Sequence, residues 1–276
     1  MNTQQSRTFI FALPILAFAS ILLGCKSKTI GTPYDQTLSQ DGTKQLCDGL
    51  TPYACQQKVQ QVQAKHKEDL LKQAEAERLD KLPHADPSTP DSQYVELTSG
   101  YQLAAMYYAL SAMPPDYEVL SAAASQEYRS TTDEFRKRDL LQALRGKIDS
   151  DIGRYKDPQN RYVIMEDNAI PLQHYDFKTS TFPINLNIRT GAYNYFNDSP
   201  QYKMSYNNGD KFLHLPIADQ TRAEEIESMI TKNELWGGRS IFYAFAQEAD
   251  TTNNTVKAQI VRVVLEDRKH GEIARF

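Results

Sequence analysis

The feature that most constrains the fold is a change of hydrophobic period at Pro158. Before it, Leu97, Tyr101, Ala104 and Tyr108 fall at helical spacing, and Leu103, Met106 and Leu110 give a second apolar face. A helix apolar on two sides has to be buried on two sides. Pro114-Pro115 stops it, and Asp116 can cap a second helix running to about Tyr128. Thr131-x-x-Glu134 has the capping-box pattern. It predicts a third helix with a stripe of Leu141, Leu144, Ile148, Ile152 and Tyr155, and the charged run Arg136–Asp139 reads as its solvated face. After Pro158 the period becomes two. Tyr162–Met165 is a short apolar run. Phe182, Ile184, Leu186 and Ile188 alternate with Pro183, Asn185, Asn187 and Arg189, as in a half-buried strand. Asn208-Gly209, between Tyr202–Tyr206 and Phe212–Ile217, predicts a hairpin. Thr221-x-x-Glu224 predicts one further helix, and the strands Ile241–Ala246 and Val256–Leu265 follow, with a turn at Lys269-His270-Gly271. N-terminal helices followed by a mostly antiparallel sheet with one further helix make an α+β domain over residues 94–276.

Upstream of that domain the composition shifts twice. Residues 56–82 are rich in Gln, Lys, Glu, Ala and Leu, without Gly or Pro, and predict a strong helix. Its apolar positions, Val59, Val62, Leu70, Leu71, Leu79 and Leu82, hold no sustained heptad. A charged spacer helix and an oligomerisation helix both fit. Residues 83–93 contain Pro83, Pro87 and Pro90 and read as a semi-rigid linker, which places the domain boundary near Tyr94.

Residues 1–24 have the architecture of a signal peptide. A polar start carries Arg7, and an apolar stretch from Phe9 to Leu23 is broken only by Pro14 and Ser20. That stretch is short of the roughly 18 apolar residues of a membrane-spanning helix. It ends on Leu22-Leu23-Gly24-Cys25, which resembles the lipobox of bacterial lipoproteins. The resemblance implies cleavage between Gly24 and Cys25 and a diacylglyceryl anchor on Cys25, with several acyl chains giving stable attachment. Lys26 and Ser27, where a retention signal would have aspartate, imply an outer-membrane destination facing the periplasm. A buried helix with a chance cysteine, or an uncleaved anchor, is the alternative.

Lipidation of Cys25 leaves Cys47 and Cys55, in a segment of residues 25–55 that reads as a tether. Export permits a disulfide, and the turn-rich stretch between the two can bring them together. Free thiols or a metal pair remain open, although two thiols are too few for a closed metal site.

The body carries no motif that names a reaction. Net charge is -4 and no Lys/Arg block occurs, which argues against nucleic-acid binding. No Gly-rich phosphate loop, Gly-x-Ser-x-Gly elbow or His-Glu-x-x-His is present, and no cofactor is expected. His174 and Asp176 fall on one side of an extended segment, as a base with its orienting carboxylate, as two metal ligands, or as an ordinary polar edge. His214 reads as a satisfied histidine. Tyr193, Tyr195 and Tyr206 form either an exposed binding platform or cross-strand core packing. Trp236-Gly237-Gly238 is a loop anchor or part of a ligand mouth.

The body, through Tyr107-Tyr108-Ala109, Pro115-Asp116-Tyr117-Glu118, Glu127-Tyr128-Arg129, Thr132-Asp133-Glu134-Phe135 and Tyr175-Asp176-Phe177, resembles an uncharacterised bacterial domain family. That resemblance implies one continuous domain and brings no activity with it. The expectation is a lipid-anchored envelope protein acting as a non-catalytic binding or interaction module for an envelope protein or other envelope component. A lipid-anchored periplasmic hydrolase and a small-ligand sensor are the alternatives.

Overall fold

A computed structural model describes residues 45–276. The expected signal peptide, the lipobox-like Gly24 and Cys25, and the first part of the expected tether lie outside the described residues. The chain divides into one compact unit that runs to Ala74 and another that starts at Glu75. In the first, Cys47 and Cys55 are joined as a disulfide, with Cα atoms 4.9 Å apart. Helix α1 (Pro52–Asp80) starts beside that link and buries none of its residues, as a helix polar on all sides must.

The second unit is α+β. Helix α2 (Gly100–Ser111) buries Leu103 through Tyr108, so both expected faces are covered. Its N-terminus is closed by a capping box between Ser99 and Gln102. Asp116 caps α3 (Tyr117–Ala124), as expected, but the helix ends early. Ser125 caps a separate short helix, α4 (Gln126–Ser130). The two Thr-x-x-Glu patterns do not cap the next helices. Asp133 opens α5 (Glu134–Lys156), accepting from the Phe135 and Arg136 N–H groups, while Thr131 donates back to the Glu127 carbonyl. Asp219 opens the later helix, α6 (Gln220–Thr231), in place of Thr221. In both places an aspartate adjoins the first turn, and its charge adds dipole stabilisation that a threonine lacks.

The strands are β1 (Val95–Glu96), β2 (Tyr162–Asp167), β3 (Thr181–Pro183), β4 (Asn194–Tyr195), β5 (Lys203–Tyr206), β6 (His214–Pro216), β7 (Arg239–Asp250), β8 (Thr255–Asp267) and β9 (Gly271–Arg275). The main sheet runs β1-β2-β7-β8-β5-β4, with β9 also on β8. One edge of β8 is thus shared: β5 pairs parallel to Thr255–Ala258, and β9 pairs antiparallel to Val264–Asp267. The β1–β2 pair is also parallel, and the remaining pairs are antiparallel.

The hairpin expected at Asn208-Gly209 does not form. β5 joins β8 and β4, whereas β6 leaves to pair with β3. Asn208 instead uses its side-chain amide as a substitute strand, donating to the Ile260 carbonyl and accepting from the Ile260 N–H. Gly209 is fixed by crowding, since a Cβ there would fall 1.7 Å from the Ile188 carbonyl oxygen. The alternation at 182–188 succeeds for burial and overstates pairing. Phe182, Ile184, Leu186 and Ile188 are all in the core, yet only Thr181–Pro183 is a strand.

The two sheet faces differ. One carries Val163, Met165, Phe242, Ala244, Ile260 and Leu265 into a single core with α2, α5 and α6. The other carries a smaller cluster of Tyr94, Tyr162, Ile241, Tyr243, Phe245 and Val264. Residues 83–93, expected as a linker, lie along this second face. Ala85 N–H donates to Gln259 Oε1 at 3.0 Å, Asp86 N–H to Tyr162 Oη at 2.8 Å, and Gln247 Nε2 to the Pro83 carbonyl at 2.8 Å. Arg262 pairs with Asp91 and lies over the rings of Tyr94 and Tyr243. These amides and prolines form a strap, which is why the compact unit begins before residue 94.

Candidate binding groove

The strap side of the sheet ends in a groove at the β8–β5–β4 edge. On β5, Met204 and Tyr206 turn into the core, so Lys203 and Ser205 face the other way. The parallel register sets Ser205 opposite Lys257 and Lys203 opposite Thr255. One wall is the last turns of α1, with Glu75 and Leu79; the other is the loop carrying Tyr193. The volume of this open groove is ≈ 460 Å³.

The Tyr193 loop is fastened at several points. Asn187 Nδ2 donates to the Tyr193 carbonyl at 2.8 Å, and Asn194 Nδ2 returns a bond to the Asn187 carbonyl at 3.2 Å. Thr190 is held by both oxygens of Asp210. Gly191 turns the chain with φ +85, a left-handed conformation that a side chain would strain. On this frame Tyr193 and Tyr195 stand 46% and 50% exposed, with ring centroids 6.4 Å apart. Lys203 Nζ lies 4.5 Å from the centre of the Tyr193 ring. Of the three tyrosines singled out in the sequence, Tyr206 is the exception. It is buried against Phe242, with its hydroxyl toward Met165 Sδ, and burial pushes its ionisation upward.

The charges in the groove are unequally committed. Glu75 is held at both oxygens by Arg78, whose other contacts go to Glu248; those hydrogen bonds keep the Glu75 carboxyl below its usual range. Asp250 is likewise lowered, first by the Asn253 amide and then, against a burial penalty, by the Thr252 N–H. Among the described residues no carboxylate reaches ion-pair distance of Lys203 or Lys257. The groove therefore offers ammonium donors, a hydroxyl and an amide along the same lining as the exposed Tyr193 ring.

His174 and Asp176 are not brought together as a pair. His174 Nδ1 meets Glu227 Oε1 at 2.6 Å, and Asp176 accepts from the Lys178 N–H at 2.8 Å in a tight turn. Burial works to raise the Glu227 carboxyl, but the Tyr175 N–H and His174 hold it below the ordinary range. His214 is exposed, 3.5 Å from Thr181 Oγ1. Trp236 is 85% exposed at the lip of a separate cleft of ≈ 400 Å³ lined by Ile170, Leu172, Ile230 and Leu235. No local signal marks Glu227 or Lys257, because each becomes relevant only through contacts distant along the chain. Asn187 also passes unnoticed, although the two amides flanking Gly191 are a local turn signal.

Among the described residues, no group of three or more His, Cys, Asp or Glu is placed to hold a metal ion, and no helix is long and apolar enough to cross a membrane. Comparison of the chain with protein-family models, with curated proteins and with solved structures finds no match. Any functional reading therefore rests on the residues themselves.

Proposed function

We propose that the chain is a bacterial envelope protein, lipid-anchored through Cys25 and sorted to the outer membrane, whose folded unit is a non-catalytic binding module. One observation carries the binding reading: Tyr193 and Tyr195 are held exposed on a loop fastened by Asn187, Asn194 and Asp210. Leaving large rings in water on an ordered frame costs stability without a folding return, and it lowers the ordering cost of capturing a partner. The anchor draws support from the lipobox residues Leu22 to Cys25 and from the Cys47–Cys55 disulfide, which suits an oxidising compartment.

The anchor is tested by labelling cells with a palmitate analogue. The chain takes up label and fractionates with membranes, and Cys25→Ser abolishes both; an unchanged lipidated product from that variant overturns it. The module is tested by crosslinking in cells, where a clean absence of any captured envelope component overturns it. A lipid-anchored hydrolase is the second reading, favoured by the 2.6 Å contact of His174 with Glu227, which resembles a base with its orienting carboxylate.

A further inference from the structure

We infer that the groove between the Tyr193 loop and the end of α1 is a saccharide-binding site, taking an uncharged pyranose unit against Tyr193; this rests on reading the folded unit as a binding module. Its dimensions come first. A volume of ≈ 460 Å³ lies within the roughly 300–1,000 Å³ of small-ligand sites. The chemistry of the walls then selects among ligands. Besides the Tyr193 ring, the apolar side chains lining the groove are Leu79 and Ala192, which build no pocket for the aliphatic side chain of a peptide. Polar groups dominate instead: Lys203, Ser205, Lys257, Asp250 and Asn253 line the same groove as the exposed Tyr193 ring, with Lys203 over that ring.

That set contains donors and acceptors together. A sugar hydroxyl both donates and accepts, so each one can be met from both sides. The C–H face of a pyranose is flat and weakly apolar, which suits the exposed ring of a tyrosine already fixed by its loop and by Lys203. Charge decides between neutral and acidic sugars. With Arg78 and Glu248 behind the wall included, the cations Lys203, Lys257 and Arg78 are matched by Glu75, Asp250 and Glu248, so the groove offers no net positive field to draw an anion. A rigid Tyr193 frame also means that little has to be ordered when the ligand arrives.

The test is isothermal titration of the full-length protein in detergent with chitotriose, cellotriose and maltotriose as neutral probes, and with trigalacturonate and triglutamate as acidic ones. At least one neutral trimer binds. Tyr193→Ala weakens it by about tenfold or more, Lys257→Gln weakens it less, and Tyr193→Phe retains most of the affinity. Thermal melting of each variant, unchanged from the parent, separates lost contact from lost fold. The inference fails if no neutral trimer binds, if binding survives Tyr193→Ala, or if either acidic probe binds more tightly than the neutral ones. Such a failure leaves the broader reading intact when crosslinking in cells still captures an envelope component. Lipid labelling at Cys25 is likewise independent of these titrations.

Discussion

The two faces of the main sheet are covered in different ways. On one, helices α2, α5 and α6 press a continuous apolar core onto β7 and β8, with Leu103, Ile148, Ile226 and Ile260 at 1% exposure or less. On the other, an extended strap is held largely by side-chain amides, a tyrosine hydroxyl and one arginine, over a much smaller cluster of aromatic and aliphatic side chains. Apolar area buried among helices is worth about 25 cal/mol per Å², whereas each strap hydrogen bond nets only about 1 kcal/mol after its exchange with water. The helical face therefore carries the stability. The strap fixes the path of the chain and stops short of the β4 edge, where Tyr193 stays exposed.

Leu103→Ala on the helical face is the severest challenge to this division. Removing a fully buried leucine leaves a cavity and destabilises by about 3 kcal/mol. Chemical denaturation measures it, and a loss below about 1 kcal/mol means that the face is not the main support. Tyr162→Phe on the strap face removes the acceptor for the Asp86 N–H and costs about 1 kcal/mol, since that exposed amide can turn to water. A loss equal to that of Leu103→Ala would make the strap an equal partner in stability and dissolve the contrast.

The helical face was largely legible in the sequence and the strap face was not. Period carries information about burial, so Leu103, Ile148 and the 182–188 alternation were assigned to the core from spacing alone. Pairing is less local. Asn208-Gly209 has hairpin chemistry, but the Asn208 amide finds Ile260 and the close approach to Ile188 demands glycine, so the same dipeptide serves a crossover. Prolines at 83, 87 and 90 exclude a helix equally well in a free linker and in a strap; Tyr162 and Gln259, far along the chain, decide between them. For the groove, the sequence placed Tyr193 and Tyr195 together but grouped them with Tyr206, which the pleat sends to the opposite side. Spacing sets His174 beside Asp176 two residues away, whereas its partner Glu227 comes from α6.

The proposed contact lies at the Tyr193 edge and not at Trp236, the exposed aromatic at the lip of the other cleft. The direct measurement is site-specific photocrosslinking in cells, with p-benzoylphenylalanine introduced singly at position 193 or at position 236 of the full chain. Position 193 yields an adduct of raised mass that is absent from position 236. Adducts from position 236 alone would place the contact at the Trp236 cleft and contradict the assignment.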